Sequence, residues 1–202
     1  MISENTWVEA GVTGRAGALE RVGARSWLGR ALLAVVGSLL IAAGAQASIP
    51  MWPVPITLQT MAVAVVAGLL GWRLGVAAVV LYLVQGALGA PVFAHGSFGA
   101  VHLIGPTGGY LLGFVGAAFV IGWLADRGAM RSVWTALPVM LLGDVIVLTV
   151  GASWLSVLVA DKSFLADGVA LFVPGAVMKS ACAALIVWRA GDRLRGGKSR
   201  GR

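Results

Sequence analysis

Leu81–Gly113 reads LYLVQGALGAPVFAHGSFGAVHLIGPTGGYLLG, a glycine-rich stretch that interrupts hydrophobic segments without one Asp, Glu, Lys or Arg. Lipid cannot satisfy free N–H and C=O groups, so irregular backbone at membrane depth survives only where protein buries it or where it lines a water-accessible site. The stretch therefore reads as a cavity wall held between helices, the place to look for a small ligand.

The rest of the chain supports a membrane setting. Of its 202 residues 59% are hydrophobic and only 11% charged, with a mean hydropathy of +0.92, which is beyond what a soluble core of this length needs. The 29 glycines suit helices that approach closely in lipid. A net charge of +7 raises the question of nucleic acid. The arginines, however, gather at the tails and two short loops, and no basic face with interleaved aromatics appears, so nucleic-acid binding is excluded. Cys182 stands alone inside an apolar run, which rules out an internal disulfide and a cysteine metal cluster. No Gly-x4-Gly-Lys-Ser/Thr sequence is present to bind ATP.

Taken in order, the pattern predicts an all-α integral membrane protein with six transmembrane helices. A polar tail, 1–30, lacks the apolar core of a signal peptide. Helix one follows over 31–48, and Pro50, Pro53 and Pro55 then force a loop with Trp52. Helices two and three run over 58–70 and 74–88, joined by a turn at Gly71-Trp72-Arg73. Helix four starts at Pro106, because proline suits the first helical position, and runs to Leu124. Gly109, Gly113 and Ala117 give it a face for close contact with a neighbour. Helix five spans 133–158, a polar connection covers 161–167, helix six spans 168–187, and a basic tail occupies 191–202. The membrane domain is thus 31–190. Both tails, Arg73, Arg127 and Arg131 fall on one side and only Lys162 on the other, so both termini are expected in the cytoplasm. Trp27, Trp72, Trp123, Trp134 and Trp188 then mark the inner interface, with Trp52 and Trp154 nearer the outer one.

Few residues in the spans can do chemistry. Asp144 and Lys179 are ionisable, and such groups inside a membrane usually face the bundle interior, pair, or mark a substrate path. Either they form a packing pair, or Lys179, backed by Asp144, meets a polar group of a ligand. Gly105-Pro106-Thr107-Gly108-Gly109-Tyr110 opens helix four, where free N–H groups and the dipole favour a carboxylate. There Thr107, Gly108 and Tyr110 are candidate contacts, the alternative being a helix entering tightly against its neighbour. Gln59, Tyr82 and Gln85 are polar residues in apolar helices suited to an amide-like or urea-like group. His95, Ser97 and His102 suggest an intramembrane serine hydrolase only weakly, since no spacing brings Ser97 to a histidine. Two histidines are too few for a metal site. Ala34 and Ser38 form a small-xxx-small face on helix one, suited to packing or to docking a partner helix.

AGAQASIPMWPVPITLQTMAV, LYLVQGALGAPVF, GPTGGYLLGF and VPGAVMK occur in this order and spacing. They resemble the BioY family, the biotin-specific substrate-capture components of energy-coupling factor transporters, over about residues 32–190. The resemblance implies a six-helix bundle in the bacterial inner membrane that binds biotin from outside, beneath the loop joining helices one and two. It also implies no enzymatic activity and no cofactor. Energy would come from a transmembrane coupling protein and two ATPases docking on small residues of helix one, Ala34 and Ser38 here; a self-sufficient secondary transporter is the alternative. One departure stands out: the family commonly has Asp after Pro-Gly in the sixth helix, whereas this chain has Ala176 ahead of Lys179. Asp144 is expected to supply the missing acceptor.

Overall fold

A computed structural model describes residues 26–51, 54–158 and 163–196, without the side chains of 163–171 and 194–196. The first 25 residues, Trp52, the loop residues Asp161 and Lys162, and the tail from Gly197 lie outside the described residues.

Helix α1 covers Trp27–Gln46, and the hydroxyl of Ser26 at its N-cap accepts from the Gly29 N–H at 3.2 Å. That cap starts the helix four residues ahead of the expected boundary, drawing Trp27 to Arg30 out of the tail. The connection to the next helix carries Pro50, Pro53 and Pro55. Its ends pair as a short antiparallel ladder, β1 (Ser48–Ile49) with β2 (Ile56–Thr57).

The next segment, α2, is continuous in name only. It covers Gln59–Ala87, but Gly71 inside it has φ 79° and ψ 178°, values that break a helix and that only glycine adopts readily. The legs on either side are antiparallel. Gln59 Nε2 donates to the Tyr82 hydroxyl, although 23 residues of straight helix would separate the two by about 34 Å. A Cβ added to Gly75 would lie 2.9 Å from the Ala67 Cα, so the legs pack backbone to backbone. Asp126 secures the turn by accepting from the Trp72 N–H at 3.3 Å, the first free donor of the second leg. The reversal expected at Gly71-Trp72-Arg73 is present.

A single helical turn, α3 (Val101–Ile104), leads into α4 (Gly108–Asp126). Helix four thus starts later than Pro106. That proline sits in a turn closed by Gly108 N–H to the Gly105 carbonyl at 3.0 Å, which holds it just outside the helix. The glycine face of α4 packs on α5 (Val133–Leu158): a Cβ on Gly109 would strike Trp154, one on Gly113 would lie 3.0 Å from the Val147 Cα, and Ala117 faces Gly143. Helix α6 covers Ser163–Gly196, so 163–167 are helical rather than a connecting loop, and the helix continues past Val187.

Five of these helices are long and apolar enough to cross a membrane: α1, α2, α4, α5 and the Phe172–Arg193 part of α6. Tyr82, Ile41, Ile121, Met140 and Val187 form the fully buried centre. Large apolar side chains such as Leu32, Leu40, Leu112, Phe119, Val145 and Leu185 remain exposed around the bundle. In water such a surface would drive aggregation; in lipid it is the required outer face.

Candidate functional site

Two glycines make room for the aromatic residues that shape a cavity. Gly86 accepts the Phe93 ring where any Cβ would overlap it, and Gly151 does the same for the Tyr110 ring. Phe93 then stands edge-on to Tyr82, with ring centroids 5.5 Å apart, and to His102 at 5.7 Å. Tyr110 lies 6.3 Å from Phe172 of α6. The space between them is about 480 Å³, within the range of small-molecule sites. Its apolar wall comes from the β2 approach (Val54, Pro55), from Phe114 of α4 and from Val147 and Leu148 of α5.

The polar groups enter from separate elements. Gln59 and Thr60 come from the start of α2, Thr107 and Tyr110 from the start of α4, Asp144 from α5 and Lys179 from α6. Gln59 is buried and fixed on both sides: its Nε2 donates to Tyr82 and its Oε1 accepts from the Thr57 hydroxyl at 2.9 Å. Lys179 Nζ donates to the Thr57 carbonyl at 3.2 Å, which ties α6 to β2 and leaves two ammonium protons for other acceptors. Asp144 is buried, and its Oδ2 accepts from the Ser180 hydroxyl at 2.7 Å, joining α5 to α6. The direct Asp144–Lys179 packing pair is not formed; each has its own partner and both face the cavity. The hydroxyl oxygen of Thr60 is buried in the same wall, beside the Asp144 carboxylate.

The structure therefore brings Gln59, Thr107, Tyr110, Asp144 and Lys179 together around one space. Tyr82 is fully buried behind Gln59 and supports it without reaching the cavity. Gln85, further along the second leg, does not line it either, and its Oε1 is buried without a partner. Gly108 is buried for packing: a Cβ there would strike the Leu103 carbonyl, and Trp154 packs over Gly108 and Gly109 while its Nε1 donates to the Gly105 carbonyl at 3.0 Å. Trp154 thus packs on Gly108 and Gly109, while Gly105, Pro106 and Thr107 just ahead of the helix line the cavity. Thr107 reaches the cavity edge, but its hydroxyl proton goes to the His102 carbonyl at 3.1 Å. Ser97 donates to the Ala94 carbonyl at 2.8 Å, and His102 meets Phe93 edge-on, so the Ser97 hydroxyl is not paired with His102. On α1, Ala34 is half-buried, and Ser38 is 0% exposed with its hydroxyl on the Val35 carbonyl, which puts Ser38 out of a partner's reach in this conformation.

Thr60 and Phe172 also line the cavity without having been singled out in the sequence, together with Phe93 from the stretch read as cavity wall and Ala176 from the sixth-helix motif. Thr60 follows Gln59 inside the Pro-Ile-Thr-Leu-Gln-Thr run, which was the available signal. An aromatic in an apolar helix or a glycine segment carries no mark that separates wall from packing.

Residues 18–196 match the BioY family. Among relatives, the biotin transporter BioY of Thermotoga maritima is 43% identical over 151 residues, covering 74% of this chain and 88% of that one. The probable biotin transporter BioY of Pyrococcus horikoshii is 37% identical over 157 residues, covering 78% and 90%. Among solved structures, the S-component for biotin from an ECF-type ABC transporter superposes with a TM-score of 0.72 at 30% identity, covering 81% of this chain and 90% of that one.

Proposed function

The chain belongs to the BioY family, and on that footing we propose that it captures biotin in the 480 Å³ cavity as the substrate-binding component of an energy-coupling factor uptake system. The observation that carries the reading is the meeting of Lys179 and Asp144, from two different helices, in a space otherwise walled by aromatic and aliphatic side chains. Biotin's bicyclic ring and aliphatic chain fit such a wall, while its ureido and carboxylate groups need a few fixed donors and acceptors. Lys179 donates to a ligand oxygen. Asp144, with lone pairs beyond the one held by Ser180, accepts from a ureido N–H, which compensates for Ala176 at the cavity wall. Thr60 and Tyr110 complete the polar set.

The relatives are named as biotin transporters, and the structural neighbour as a biotin S-component of an ECF-type ABC transporter. The likeness to an ECF-type S-component supports a coupling protein and ATPases as partners over the self-sufficient alternative. The legs of α2, about 18 Å and 24 Å long at 1.5 Å per residue, are short against a core of about 30 Å and make two crossings only together with the connections that flank them, giving six in a bacterial cell membrane. Both termini lie in the cytoplasm by the positive-inside rule. A coupling protein would approach α1 along its exposed apolar side, near Ala34.

Membranes from cells expressing the chain should retain labelled biotin that unlabelled biotin displaces. Membranes that contain the folded chain yet hold no displaceable label would refute capture.

A further inference from the structure

One side chain spans the seam between the end of α1 and the turn at residues 93–97. Gln46 Nε2 donates to the Phe93 carbonyl at 3.0 Å, and Gln46 Oε1 accepts from the Gly96 N–H at 3.0 Å. Two residues on, Ser48 Oγ lies 3.3 Å from His95 Nε2, a second point across the same seam. The turn it grips is conformationally costly: His95 has φ 58°, the one non-glycine residue with positive φ among the described residues. Both ends of a single amide therefore tie to α1 a segment whose internal hydrogen bonds, Phe93 N–H to the Ser97 carbonyl at 3.1 Å and Ser97 N–H to the Ala94 carbonyl at 3.2 Å, set its local shape. That segment is the rim of the cavity, since Phe93, Ala94, His95 and Ser97 all line it, opposite Val54, Pro55 and Thr57 from the β2 side. Gln46 itself does not line the cavity.

We propose that Gln46 is a positioning residue that latches the rim turn over a bound ligand and so governs how fast the ligand leaves. The inference rests on the biotin reading above. Outward movement of the turn must break both hydrogen bonds of the Gln46 amide and draw Phe93 away from Tyr82 and His102. Ligand release is therefore slowed by the latch, and Gln46 acts only through Phe93 and its neighbours.

Gln46→Met keeps the length of the side chain and removes both hydrogen bonds. With the full chain in detergent, loaded with labelled biotin and chased with unlabelled biotin, this variant should release label about tenfold faster, the scale of one or two net hydrogen bonds. Its association rate should not fall, and ligand-free melting should match wild type. Ser48→Ala should speed release by less. Release within about twofold of wild type in Gln46→Met, from a wild type that does bind biotin, overturns the latch and leaves capture standing. A folded wild type that binds no biotin overturns capture and the latch with it.

Discussion

Lys179 and Ser180 are neighbours on α6 with opposite assignments: one faces the cavity, the other fastens helices. Lys179→Ala should weaken biotin binding by about tenfold to a hundredfold, the range of one charge-assisted hydrogen bond, with little loss of thermal stability. Titration of the purified variant checks this, and unchanged affinity would remove Lys179 from the site. Ser180→Ala takes the donor from a buried carboxylate. It should lower unfolding stability by about 1–3 kcal/mol, seen as a drop in melting temperature in detergent. Lys179 and Asp144 were legible in the sequence because a charge inside an apolar segment is expensive and so conspicuous. Gly108 misled for a related reason. A glycine pair at a helix start fits both ligand approach and helix packing, and only the positions of Trp154 and the Leu103 carbonyl decide for packing.

Among the elements, the Gly71 reversal sets how the cavity's polar residues meet. It returns the second leg so that Tyr82 supports Gln59, and a Cβ at position 71 would meet the Asp126 carboxylate. Gly71→Ala should therefore lose about 1–3 kcal/mol from backbone strain alone, read as a lower melting temperature and weaker biotin binding together. A variant as stable as wild type would contradict the assignment of Gly71 as the forced turn. The existence of each long helix was readable from apolar run length, whereas the single turn α3 fell inside a stretch read as irregular. The ends were less so: Pro106 satisfies the rule for a first helical position yet sits in a turn, and the stretch 163–167 looks polar enough for a loop yet continues α6. Local sequence prices an isolated end, whereas tertiary contacts fix the real one.

At the scale of the molecule, the two ends of the bundle differ in kind. Trp72, Asp126 and Arg127 gather at one end, and Thr107 at the start of α4 marks the other, about 28 Å away along a helix of 19 residues. The cavity belongs to the second end, remote from the basic loops. In a Cys182→Ala background, Ser48→Cys should react with a membrane-impermeant maleimide on intact cells, and Arg127→Cys only after lysis. Labelling of Arg127→Cys on intact cells would invert the proposed orientation. Charge asymmetry is the sequence feature behind the expected orientation, while the cavity's aromatic lining depended on which glycines yield space to which rings.

The central claim is that this cavity holds biotin. Calorimetric titration of the purified protein in detergent, with desthiobiotin and thiamine as comparators, tests it most directly. One-to-one binding of biotin, with thiamine inert and Lys179→Ala much weaker, is the predicted result; a folded protein that gives no heat with biotin would contradict it.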